Sequence, residues 1–200
     1  MKTILSFLVL LITHLITYSE NIIIRPAIKD DFEKLMIVDK KISYEYFKPI
    51  FLKYYSELPF GKDPDQYLEL DLKQDEIYFN NYIQDPNKNM INLAWDKNNK
   101  NIAGMTFFHK EDNILHIDLL LVDKDYRNMK IGRKLLNSAI NFYKDIKTCL
   151  LYTLRFGNES THKFYKAMGF KCTGIRPGKE SKFIFQGYPE VFLDYKLELS

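Results

Sequence analysis

Between residues 119 and 136 the chain runs from Leu119, Leu120, Leu121 and Val122 through a basic turn into a helical pattern that starts at Ile131, Gly132 and Arg133. A strand, turn and helix in that order binds anions. The first N–H groups of a helix have no internal acceptor, and the aligned peptide dipoles place about half a positive charge there. Arg127, Lys130 and Arg133 add to that field. In the strand before the turn, alternation puts Leu115, Ile117, Leu119 and Leu121 on one apolar face, whereas His116 and Asp118 interrupt the other. Polar groups in a central strand need a reason. An imidazole that titrates near pH 6.5, with a carboxylate close by, suits proton abstraction at neutral pH; the same two residues also suit a hydrogen-bonded polar pocket.

One strand later comes a second segment, with Asn158 at its head, Phe164-Tyr165 in its middle and Gly169-Phe170 at its end. Gly169 stands where a helix-ending residue in the left-handed conformation belongs, and Phe170 where the accompanying apolar contact is made. Together, Arg127-x-x-Lys130-x-Gly132 and Asn158 followed by Phe164-Tyr165-x-x-x-Gly169-Phe170, about 30 residues apart, resemble motifs A and B of the GCN5-related N-acetyltransferase (GNAT) family. The opening Ile24-Arg25-Pro26, with acids heading the first helix, fits the same family, and the resemblance covers residues 21–199 in element order.

That resemblance implies an α+β fold: a central, mostly antiparallel mixed sheet, splayed at the cofactor site, with helices on both faces. It implies acetyl-CoA as co-substrate, no metal, and a primary amine that attacks directly in a ternary complex. By position, it implies that the backbone of Leu121 and Val122 pairs with the pantetheine arm, which Asn158 helps to hold. Arg127, Asn128, Met129, Lys130, Ile131, Gly132 and Arg133 would wrap the pyrophosphate. Tyr165 would protonate the departing thiolate, and His116 would deprotonate the acceptor while Asp118 orients it or the bound ammonium. Apart from the motifs, Tyr165 also reads as a core aromatic with a satisfied hydroxyl. The chain departs from the signature at Lys130, where the family pattern has glycine. Lysine is costly there if the position needs positive φ; if not, its ammonium can pair with a phosphate.

The elements that must position these residues are legible as alternating patterns. A β-branched run over 21–28 leads to Asp30 and Asp31 as helix N-caps, ahead of Phe32, Leu35, Met36 and Val38 at helical spacing. Residues 43–90 read as mostly helical and aromatic, broken at Pro64 and Pro86. Positions 57–85 hold eight acids against Lys62 and Lys73, an acidic rim that is either a solvated helix face or a wall attracting a cationic acceptor. Strands follow over 90–95, 102–110 and 114–122, then a helix over 131–143 and a strand over 149–156 expected to be buried on both faces. A helix over 159–168 and strands over 171–175 and 191–199 complete the domain. The acceptor is expected between the stretch from Tyr44 to Tyr82 and the loop from Pro177 to Pro189.

Composition bounds the rest. With 200 residues, 46% hydrophobic and 15% aromatic, there is enough apolar material for one packed domain, and a net charge of +3 with no basic stripe argues against nucleic-acid binding. Cys149 and Cys172 supply neither a disulfide framework nor a zinc cluster and read as buried thiols; Cys149 lacks an adjacent histidine and is a poor nucleophile. His109 and His162 read as surface residues, and a metal site from His109, His116 and Asp118 is not expected, because sequence spacing does not establish their proximity.

Residues 1–19 have the layout of a signal peptide: Lys2, an apolar run, then Thr17 and Ser19 at a polar exit. As a helix the run spans about 22 Å, short of the roughly 30 Å of a bilayer core, so a cleaved leader ahead of a 20–200 domain is expected over a lasting membrane span. That points to an exported protein, or a cytoplasmic one if the leader is not a true signal. Export also leaves open a second function, a secreted module that keeps the fold without catalysis, since acyl-CoA is a cytosolic metabolite. Mass spectrometry of the mature chain should find its amino terminus at Glu20; an intact Met1 would contradict cleavage.

Overall fold

The isoleucines at 22–24 are β-branched and extended, and Pro26 ends their strand because it has no N–H to give to a ladder. The structure, a computed structural model, describes residues 21–54, 64–84, 89–154, 158–177 and 191–199. The expected leader, Glu57, Lys62, Asp63, Asp85, Pro86 and nearly all of the 177–189 loop lie outside the described residues.

After β1 (Ile22–Pro26) come a 3-10 turn (Lys29–Asp31), α1 (Phe32–Tyr54) and α2 (Pro64–Gln84). The meander β2 (Asn89–Asp96), β3 (Asn101–Glu111) and β4 (Ile114–Val122) follows, then a 3-10 turn (Lys124–Tyr126) and α3 (Ile131–Ile140). The described chain closes with β5 (Thr148–Leu154), α4 (Glu159–Ala167), β6 (Lys171–Pro177) and β7 (Val191–Glu198). One seven-stranded sheet results, in the order β1-β2-β3-β4-β5-β7-β6, with only β4 and β5 parallel. The expected α+β architecture is therefore present, helices on both faces included. On one face α1 and α2 bring Leu35, Val38, Ile42, Phe79 and Tyr82 against Leu93, Met105, Phe107 and Leu121. On the other, α3 and α4 bring Leu136, Ala139 and Tyr165 against Phe108, Leu115, Ile117, Cys149 and Tyr195.

Alternation along β4 is broken at one residue. Phe107 pairs with Leu119 and Phe108 with Ile117, so Asp118 is an inserted residue, a β-bulge. The continuous apolar face expected for this strand is thus two half-faces. Leu115 and Ile117 pack under α3, whereas Leu119 and Leu121 pack on the α1 and α2 side. Two burial expectations also change. β5 buries Cys149 and Leu151 but leaves Tyr152 37% exposed, because β4 no longer accompanies it there. Cys172 is exposed on β6, the edge strand, whereas Cys149 is buried as expected.

Helix ends follow local chemistry. Gly169 adopts φ +91°, its N–H donates to the Lys166 carbonyl at 3.0 Å and the Phe170 N–H to the Tyr165 carbonyl at 3.0 Å, the expected double bond of a Schellman stop. At the other end of the chain the acids do not cap α1 as expected. Asp31 lies inside the 3-10 turn, where Oδ2 accepts from the Ile28 N–H at 2.9 Å and both oxygens accept from Arg25 at 2.7 Å. Burial alone would raise this carboxyl's pKa, but the bonds from Arg25 and Ile28 outweigh it and hold it below the usual range. A folded pKa below the unfolded one stabilises above the unfolded value and is lost as pH falls through the folded one. Urea unfolding of Asp31→Asn at pH 7 should show a deficit of about 1–3 kcal/mol that shrinks as the pH drops below about 4.

Candidate active site

β4 and β5 pair only from Ile114 opposite Thr148 to Ile117 opposite Leu151. From there β5 continues along β7 as far as Leu154 opposite Phe192, while β4 stays with β3 as far as Val122 opposite Gly104. The strands part at the Asp118 bulge. The β5-facing edge of residues 118–122, Leu121 and Val122 among them, has no strand partner among the described residues, and its backbone groups are available to an extended ligand.

At the open end of β4 the turn is pinned from two sides. Asp123 is buried; its carboxylate accepts from the Asp125 N–H at 3.1 Å and from Lys41 of α1 at 2.6 Å. The bond to Asp123 holds the Lys41 ammonium above its ordinary pKa. Tyr126 is buried too, and its hydroxyl donates to Asp96 of β2 at 3.0 Å. Past these anchors Arg127, Asn128 and Lys130 are exposed, and Asn128 and Lys130 take left-handed φ of +64° and +61°. Position 130 is therefore one that favours glycine, and lysine there costs about 1–2 kcal/mol. The first helical bond of α3 runs from the Lys134 N–H to the Lys130 carbonyl at 3.0 Å, so the amides of Ile131, Gly132 and Arg133 precede the ladder. The side chain of Ile131 is in the core with Ile22 and Leu135; only its backbone is at the turn. At Gly132 an added Cβ would lie 3.4 Å from Phe164 and 3.7 Å from Val122, filling the narrow space between α3, α4 and the end of β4. Met129 is half-buried against the same core, and Arg133 is exposed.

Asn158 is buried at the head of α4, with Nδ2 donating to Thr153 Oγ1 at 2.6 Å and Oδ1 accepting from the Tyr46 hydroxyl. Tyr46 also lies 3.3 Å from Thr161 Oγ1 and under the Arg127 guanidinium, 5.1 Å from its ring. This tyrosine of α1 carries no motif, and its aromatic-rich surroundings hid it from the sequence. Tyr165 packs among Phe164, Phe170 and Tyr195, with ring centroids 5.2–5.8 Å away. Burial raises its phenol above the ordinary value, so the proton stays on at neutral pH, and its hydroxyl makes no hydrogen bond to a described residue. It is both a core aromatic and a held proton. Burial likewise pushes the Cys149 thiol up to about 12, which leaves it protonated and unreactive.

His116 does not meet Asp118 as expected. Asp118 Oδ2 instead accepts from the Tyr82 hydroxyl and lies 2.7 Å from His109 Nδ1. His109, expected at the surface without a partner, is half-buried directly opposite His116, and their rings stack at 4.7 Å. His116 Nε2 faces Glu111 at 3.7 Å. His162, also expected to be partnerless, sits 3.0 Å from the Tyr195 hydroxyl. The β3–β4 register brings His109 and His116 together, and the contact of α4 with β7 brings His162 to Tyr195; spacing along the chain reveals neither. Around Asp118, burial and then the Asp118 charge raise the phenols of Tyr78 and Tyr82, so an acid and two protonated phenols share the bulge.

The model of the Acetyltransferase (GNAT) family matches residues 49–170. The chain belongs to this family. Among solved structures, it is similar to the PaiA N-acetyltransferase of Thermoplasma acidophilum in complex with coenzyme A, with TM-score 0.67 and 21% identity over 89% of this chain and 99% of that one. A GNAT acetyltransferase of Staphylococcus aureus Mu50 gives 0.58 and 24% over 90% and 99%. A candidate streptothricin acetyltransferase of Bacillus anthracis, bound to acetyl coenzyme A, gives 0.51 and 27% over 60% and 67%. No curated protein sequence matches the chain. As a GNAT enzyme the protein is an acetyl-CoA-dependent N-acetyltransferase acting on an amine. Among the described residues no helix is long and apolar enough to cross a membrane.

Within this GNAT turn, Lys130→Gly removes the left-handed strain but frees the unfolded chain. Urea denaturation should show a net gain of about 0.5–1 kcal/mol; a loss would mean that the lysine side chain stabilises the turn.

Proposed function

We propose that the enzyme acetylates a primary, cationic amine by direct attack in a ternary complex, with Tyr165 as proton donor and His109, held by Asp118, as proton acceptor. The parting of β4 from β5 carries this reading, since it opens a backbone edge between the α3 amides at one end and the Asp118 bulge at the other. The residues present fit a nucleotide-linked thioester: the edge of 118–122 for an amide-bearing arm, the amides of residues 131–133 with Arg127 and Lys130 for a diphosphate. When bound, acetyl-CoA supplies an activated acetyl carbonyl and a thiolate leaving group.

Each proton has a place in this chain. An alkylammonium with a pKa near 10.4 is neutral in roughly one molecule of a few thousand at pH 7, so a base is needed. Asp118 bonded to His109 Nδ1 favours the tautomer whose Nε2 lone pair can take that proton. The Asp118 carboxylate with Tyr78 and Tyr82 also favours a cation before it is deprotonated, and Glu69, Asp75 and Glu76 of α2 add a field of the same sign. At the other end the Tyr165 phenol keeps its proton for the departing sulfur.

The test is thiol release by the purified enzyme with acetyl-CoA and a panel of amines. Tyr165→Phe should lower kcat about 100-fold while the dissociation constant of acetyl-CoA moves by less than about threefold. Equal losses in both would contradict a role at the leaving group, and tight cofactor binding without turnover of any amine would make the protein a binding module.

A further inference from the structure

The β3–β4 hairpin carries a group of side chains that the transfer chemistry does not use in full. His109 of β3 and His116 of β4 are directly opposed, and their imidazoles lie face to face at 4.7 Å with 6° between planes. Glu111 is two residues along β3 from His109, so it shares that face of the sheet. Its Oε2 is 3.7 Å from His116 Nε2, and one donor atom from each of His109, Glu111 and His116 lies within 4.8 Å of the other two. Lys110 points the other way, to Asp145 and the Tyr143 ring, which keeps its charge off the group.

We propose that His109, Glu111 and His116 form a binding site for a divalent transition metal, with zinc the best match. Two imidazole nitrogens and one carboxylate oxygen are a donor set for that ion, which leaves a fourth position for water. Tetrahedral zinc with bonds of about 2.0–2.1 Å holds its donors about 3.3–3.4 Å apart. The stacked imidazoles have nearly parallel planes, so binding requires both rings to turn about their side-chain torsions toward a common point and Glu111, whose side chain is 73% exposed, to follow, while the paired strands keep the three residues adjacent. Asp118 supplies the outer carboxylate: bonded to His109 Nδ1 and itself bonded by Tyr82, it fixes the ring and raises its basicity toward a metal.

Occupancy has a functional consequence that rests on the role proposed above for His109; the binding itself does not. A metal on His109 takes the lone pair that would accept the acceptor's proton, so zinc should inhibit transfer. The experiment uses the untagged full chain, stripped with chelator and titrated with zinc chloride by calorimetry and with cobalt(II) by visible absorption. Saturable 1:1 binding in the micromolar range, intense cobalt bands of a four-coordinate ion, and affinity weakened about tenfold or more in Glu111→Gln and in His116→Ala are expected. Glu111→Gln changes an exposed side chain, so a folding defect does not mimic its effect. No saturable binding, or binding unchanged in both variants, would overturn the site. If zinc binds as expected and turnover is unaffected, the site stands and the role of His109 as base fails.

Discussion

The rest of the structure depends on where two parallel strands stop bonding to each other. Four residue pairs join β4 to β5, and the bulge residue Asp118 stands where that pairing ends. A bulge bends its strand and strengthens its twist, so the edge beyond it leaves the neighbour instead of continuing the ladder. Backbone N–H and C=O groups released in this way still need partners, and the fold leaves that capacity for a bound arm. One local irregularity thereby opens the groove and sets the acid near the phenols of Tyr78 and Tyr82. It also assigns the two halves of β4 to different cores.

An open groove is useful only between rigid walls. The turn after β4 contains two residues in left-handed backbone, a conformation that would not persist if the turn were loosely held. It is over-determined instead: Asp123 is tied to Lys41 of α1, and Tyr126 to Asp96 of β2, both through buried groups. Tyr46 and Asn158 join α1 to α4 across the groove in the same way. The amides of α3 are therefore aimed before any anion arrives, and a helix terminus attracts an anion best when it need not reorganise.

Much of this was legible in the residues. The order of strands and helices follows from alternation, breaks and helical spacing, and the Gly169-Phe170 stop and the basic turn stand where chemistry requires them. What was not legible is whatever depends on register. No residue type near Asp118 announces a bulge, so strict period-two counting put Leu115 and Leu121 on one face. His109 and His116 are seven positions apart with a turn between, and only the hairpin's pairing makes them neighbours. Tyr46 belongs to a helix whose aromatic residues look alike until one is found spanning the groove. An acid ahead of a helix reads as its cap, whereas Arg25, six residues earlier in β1, claims both oxygens of Asp31.

Because side chains of a strand alternate strictly, an odd insertion reverses the parity of everything after it. Replacing Asp118 by another residue leaves that parity intact and alters only a carboxylate. Deleting it would make Ile117 and Leu119 consecutive, so Leu119 would stay opposite Phe107 and, with Leu121, in the layer of α1 and α2, while the bulge that parts β4 from β5 would be lost. The position is fixed by its count in the chain as much as by its chemistry.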